Sequence, residues 1–429
     1  MNKLLKIGLQ LAVAALMASC SELDSDDAAE LLDIDVVAQQ FKAGAINLGS
    51  VAARQERLDA CQLAIKQVND AGGVLGKEFN SVGLIATSTA ESTELVQEMV
   101  DAGIQALEVQ FSSRALAAAE LTVPADRVLF ASTGQSNSIT DIVDNDLVYR
   151  FQPRTDTISI ALAELAFTQG GTMVAVIVND DDDFSSDISD DFLAAFVALG
   201  GELAVNIVLP VEKSSGFDAE IAMLASSDAD VVLNNMQNAA SAANFYNEAL
   251  DIDFSQYVNL TGSFSGVSQF TDNLVNPSKI NGLQGVQSPR GLQTDANVQF
   301  YQDTYLEQFD ILPGGFTNGV YDACHVAGLA IERAGRENNT DDPTGIMIRD
   351  SLRAVMNPPG EIVGATTLSS ALDILRSGSE IDFNGTYAHE WDDKGDLIGD
   401  LTFDISILDG TAEEWITTEQ FIITVESND

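Results

Sequence analysis

Two clusters of small polar side chains have the types and spacing to hold an anion. Ser112-Ser113 follows the alternating run Leu107 to Phe111, and Gln135-Ser136 comes after Val128 to Ala131. Both runs have strand composition, so each cluster lies where a strand exits toward a helix. Hydroxyls and the free amides of a following helix N-terminus donate well to a negative group. A serine in such a place serves equally well as a helix N-cap.

Covalent chemistry has less to stand on. Gly262 to Gly266 has Phe264 at its centre, not the serine of a nucleophile elbow. Gly72 to Lys77 lacks phosphate-loop spacing, and Glu78 follows it instead of Ser or Thr. The chain has two histidines, His325 and His389. His325 directly follows Cys324 on a helical segment, and adjacent helix positions do not face each other. Asp180 to Asp183 has the charge of a calcium loop without its alternation or glycine. No enzyme activity, cofactor or metal is expected.

The elements that carry these clusters alternate. Leu58, Cys61, Ile65 and Val68 recur at helical spacing, and the helix stops at Asn69 to Gly73. Strand signals flank it at Gly44 to Ser50 and Val82 to Ala86. A second set begins near Tyr149 and includes Met173 to Val178, an almost wholly apolar run suited to a buried parallel strand. Two successive sets of this kind predict parallel sheets covered by helices. The last third holds helices at Asn297 to Phe309 and Gly319 to Ala334, then a strand-like stretch from Gly395 to Asp409. No floppy linker separates the two sets, which implies several crossings between them.

A chain of 429 residues suffices for two domains, and its 66 acids against 20 Lys plus Arg give a net charge of −46. Such a surface repels nucleic acid and anionic lipid, so neither is an expected partner. Residues 1–20 pair Lys3 and Lys6 with a short apolar core, a processing segment that ends in Met17-Ala18-Ser19-Cys20. That ending is similar to a bacterial lipobox, which implies cleavage before Cys20 and lipid on its sulfur. An ordinary secretory signal that happens to contain a cysteine is the other possibility. Residues 21–38 read as an acidic tether. Cys61 and Cys324 lie on apolar helix faces, either as two buried thiols or as a disulfide.

Four phrases, in order, carry a family resemblance: AIKQVNDAGGVLGK, QFSSRALAAAELTVPADRVLFASTGQS, PGGFTNGVYDACHVAGLAIERAG and the closing NPPGE with DILRSGSEIDFNGTYAHEWDDKGDLIG. Together they resemble the branched-chain amino acid (Leu/Ile/Val)-binding group of type I periplasmic solute-binding proteins. The resemblance implies an α/β fold of two Rossmann-like lobes with parallel sheets joined by three crossovers. Lobe 1 would take residues 39–145 and 288–392, and lobe 2 residues 146–287 and 393–429. It implies a ligand carboxylate held at Ser112, Gln135 and Ser136. It also brings Phe184, Gln237, Phe264 and Tyr321 near the ligand. The acid that meets the ligand ammonium in the amino-acid binders is missing around Phe264. Arg54 and Arg114 fall at the expected cleft edges, and their forks match carboxylates, which points to a small carboxylate lacking an amino group. The implied function is a lipid-anchored, monomeric substrate-binding protein that delivers a solute to the permease of an ABC importer at the cell envelope. The alternative is a sensory or envelope-regulatory lipoprotein on the same fold.

Overall fold

The computed structural model describes residues 36–287, 292–387 and 390–426. Cys20, His389 and the leader lie outside the described residues, as does most of the expected tether. A short helix, α1 (Val36–Gln40), belongs to a separate unit spanning residues 1–40. Everything from Phe41 onward forms the second unit.

The second unit opens with β1 (Ile46–Ala52), α2 (Gln55–Asp70), β2 (Phe79–Ile85), α3 (Thr89–Asp101), β3 (Ala106–Val109), α4 (Ser112–Thr122), β4 (Val128–Ala131) and β5 (Val148–Arg150). These strands form one parallel sheet in the order β2-β1-β3-β4-β5. The helix α2 forms as its spacing predicts, with Leu58, Cys61, Ile65 and Val68 buried. It ends where Gly72 and Gly73 take positive φ. A Cβ on Gly73 would lie 2.1 Å from the Lys77 carbonyl oxygen, so only glycine makes that turn.

The second set comprises α5 (Thr155–Thr168), β6 (Met173–Asn179), α6 (Asp183–Ala198), β7 (Glu202–Leu209), α7 (Asp218–Ala225), β8 (Val231–Asn235), α8 (Ala239–Glu248), β9 (Val258–Thr261), α9 (Ser268–Asp272) and β10 (Gln284–Gln287). Its strands run β7-β6-β8-β9-β10, parallel throughout and with the same reversal of order as the first sheet. All but the first residue of β6 are buried, as a strand covered on both faces requires.

The chain then returns to the first lobe with α10 (Ala296–Phe309), α11 (Thr317–Glu337), α12 (Gly345–Met356), β11 (Glu361–Val363), α13 (Leu368–Ser377) and β12 (Ile381–Phe383). It crosses again through β13 (Glu390–Trp391) into β14 (Leu397–Asp409), which joins β10 antiparallel and carries β15 (Glu414–Val425) on its other edge. The architecture is the expected α/β fold of two lobes. The first sheet runs on to Arg150, past the expected boundary at 145, because β5 pairs in register with β4.

Two features tie the first lobe together. A disulfide joins Cys61 of α2 to Cys324 of α11, which resolves the alternative of two free thiols. At the crossovers the fully buried Arg150 forms an ion pair with Asp396 at 2.5 Å, and Trp391 Nε1 donates to the Arg150 carbonyl at 2.8 Å. The first and third crossings are thereby fixed to each other.

Candidate functional site

In open parallel sheets, ligands bind beyond the carboxyl ends of the strands, near the point where strand order reverses. A cavity of 270 Å³ lies there. Arg54 and Arg57 reach it from the start of α2, just after β1, and Gln135 from the loop after β4. The second sheet contributes Ser263 and Ser265 after β9 and Gln287 at the end of β10. The segment 311–316 before α11 closes one side and ends in Phe316. Both lobes therefore line one cleft. A larger cavity of 520 Å³ lies between α10, the start of α11 and residues 417–420 of β15, and shares Leu312 and Gly314 with the cleft. The smaller cavity holds the strand ends and the guanidiniums, so it is the one with recognition chemistry.

Arg57 dominates that chemistry. Its side chain is buried, and its Cζ lies 5.1 Å from the ring centroids of both Phe111 and Phe316. Its Nε and Nη1 have no hydrogen-bond partner among the described residues. Burial lowers its pKa to about 10, so it stays charged at neutral pH. Phe111 and Phe316 both adopt positive φ, 66° and 67°, a conformation that bulky side chains rarely take. Below the cleft, the buried Glu108 accepts hydrogen bonds from Ser50 Oγ at 2.6 Å and from Ser132 Oγ. Burial pushes its carboxyl above the ordinary range. The periodicity of α2 shows Arg57 only as one more polar position. Its environment depends on two rings brought in from distant segments, and no local signal marks it.

Of the residues expected at the site, Arg54 and Gln135 line the cleft. Ser112 sits behind them, where its Oγ accepts from the N–H groups of Gln135 at 3.1 Å and Ser136 at 3.0 Å. It shapes the Gln135 loop, and Ser113 beside it does not line the cavity. Ser136 Oγ donates to Asp187 Oδ2 of α6 at 2.5 Å, so a carboxylate of the chain itself holds that donor.

The remaining expectations need correction. Phe264 is fully buried and stacked on Phe270 at 4.4 Å, in the core of the second lobe. Its neighbours Ser263 and Ser265 face the cleft instead. Tyr321 is fully buried in the first lobe, and its hydroxyl donates to Gln67 Oε1 at 2.6 Å. Phe184 packs into the hydrophobic core. Gln237 donates its N–H to Asn179 Oδ1 at 2.8 Å and lies outside the cavity. Arg114 donates to the Ala86 carbonyl at 3.0 Å and lies over the Phe111 ring, so it supports that ring without lining the cleft.

Among the described residues, no group of three or more His, Cys, Asp or Glu could hold a metal ion. No helix among them is long and apolar enough to cross a membrane.

The family described as Periplasmic binding protein matches residues 49–362. No curated protein sequence matches the chain. Several solved structures share its fold. A leucine binding protein, LivK, from Thermotoga maritima superposes with a TM-score of 0.70 at 17% identity, covering 88% of this chain and 99% of that one. LivJ, a branched-chain amino acid transporter substrate binding protein from Streptococcus pneumoniae in complex with isoleucine, gives 0.69 at 16% identity, covering 89% and 99%. A solute binding protein of an ABC transporter from R. palustris, in complex with benzoate, gives 0.67 at 14% identity, covering 90% and 98%.

Proposed function

The chain belongs to the periplasmic binding protein family, and from that premise we propose that it is the lipid-anchored receptor of an ABC-type importer for a small carboxylate-bearing solute. The solute enters the cleft between the lobes, and closure about the crossovers buries it and forms the surface that a membrane permease recognises. The observation that carries this reading is the cleft itself, lined from strand ends of both sheets and furnished with the guanidiniums of Arg54 and Arg57. Isoleucine and benzoate, the molecules held by two proteins of the same fold, each carry a carboxylate. Lipid attachment rests on the sequence around Cys20, and it puts the protein at the cell envelope with the lipid as its membrane contact.

A thermal-shift screen of residues 21–429 against amino acids, amides, short carboxylates and aromatic acids tests the reading. A ligand at a hundredfold its Kd adds about 2.7 kcal/mol of stability, an easily measured rise in melting temperature. No shift across the panel would count against it. Cys20→Ala should move the protein from the membrane to the soluble fraction of its host.

A further inference from the structure

Packing does not account for Arg57. An arginine that is only 5% exposed and has two guanidinium nitrogens without hydrogen-bond partners is costly to keep. No carboxylate lies within ion-pair distance of it among the described residues. The acids whose charge acts on it are Glu56 and Glu108, and Glu108 is held by Ser50 and Ser132. Two phenylalanines keep left-handed backbone conformations with their rings against it. With rings against the guanidinium, its N–H edge is the part left without partners, and such an edge matches a carboxylate in two parallel hydrogen bonds. Arg57 also sits in the first turn of a sixteen-residue helix, where the macrodipole favours negative charge.

The other charges of the cleft narrow the ligand further. Two guanidiniums line it against one carboxylate, that of Glu56, and Glu56 Oε1 lies 3.9 Å from Arg54 Nη1. An ammonium group would meet two like charges and no free acid. We propose that Arg57 is the anion anchor of the cleft and that the solute is a small monocarboxylate without an ammonium group. The proposal rests on the cleft being the ligand site.

Calorimetric titration of the wild type against matched pairs tests it: leucine with isocaproate, and phenylalanine with hydrocinnamate, plus benzoate and inorganic phosphate. The des-amino member of a pair should bind at least about tenfold more tightly. Arg57→Gln should weaken it about thirtyfold or more, and Arg57→Lys, which keeps the charge and loses the fork, should fall between. Melting of the unliganded protein gives a second, independent readout. Arg57→Met removes an unpaired buried charge and should raise the melting temperature, whereas an arginine retained for structure would lower it. Tighter binding of the amino acid, tighter binding of phosphate, an Arg57→Gln affinity equal to wild type, or a less stable Arg57→Met protein overturns the inference alone. A wild type that binds nothing in the panel overturns the proposed function, and the inference falls with it.

Discussion

Asp187 of the second lobe accepts a 2.5 Å hydrogen bond from the Ser136 hydroxyl of the first, and its Oδ2 also takes the Asn137 N–H at 2.8 Å. One turn later Asp191 accepts from Asn137 Nδ2 at 2.8 Å. Ser136, one of the donors expected to hold a ligand carboxylate, thus joins the two lobes together with Asn137. Asp187→Ala should release them and shift the unliganded protein toward open forms. Small-angle scattering would then give a larger radius of gyration than wild type. An unchanged radius would mean that the contact does not maintain closure.

The disulfide should contribute strongly to stability. Cys61 and Cys324 are separated by 263 residues in sequence, and closing so long a loop restricts the unfolded chain. Replacing both with serine should cost about 2–4 kcal/mol, read as a lower urea midpoint. Reducing agent should lower the midpoint of wild type and leave the variant unaffected.

His325 predicts acid sensitivity. It is fully buried against Tyr321 at 4.4 Å and near Phe383, and burial lowers its pKa from 6.5 to about 3. Below pH 6.5 the unfolded chain takes up a proton that the folded chain refuses. Stability from this residue is therefore complete above pH 6.5 and is lost progressively as pH falls toward 3. His325→Phe, of similar size, should flatten the decline in urea midpoint across that range. An equal decline in both proteins would contradict the assignment.

Gly266 shapes the second lobe's side of the cleft. Its φ is +68°, and a Cβ there would lie 1.5 Å from Gln287 Nε2. Gly266→Ala should cost about 1–2 kcal/mol for the left-handed backbone and push the Gln287 amide aside. Titration with the wild-type ligand should show weaker binding than the stability loss alone would produce, while a Gly266→Ala protein with wild-type affinity would remove Gln287 from the recognition surface.

The elements were legible wherever burial follows from local pattern. The apolar run of β6 and the helical spacing of α2 each report one face or one strand, and both formed as read. The site was less legible. Strand exits turn successive side chains to opposite sides, so expecting Phe264 in the cleft missed Ser263 and Ser265 by one position. Ser112 lies beyond a strand end, yet its hydroxyl serves the Gln135 loop. Arg57 gains its significance from Phe111 and Phe316, which reach it across the fold. The outer strand β15 has Thr417, Thr418 and Glu419 exposed, so it lacks the buried alternation by which a strand is recognised.

The bond between α2 and α11 also bears on the order of assembly. All of β6 to β10 lies between its two cysteines, so the first lobe cannot complete its covalent clamp until most of the second has been synthesised. The second lobe in turn waits for β14 from the far end of the chain to cover β10. Neither lobe is finished by a contiguous stretch of sequence, and contacts of such long range slow folding. An exported chain of this design passes through a stage in which both lobes depend on residues still to emerge. Truncation just before Asp404, the first β14 residue that pairs with β10, would thus leave the β10 edge uncovered.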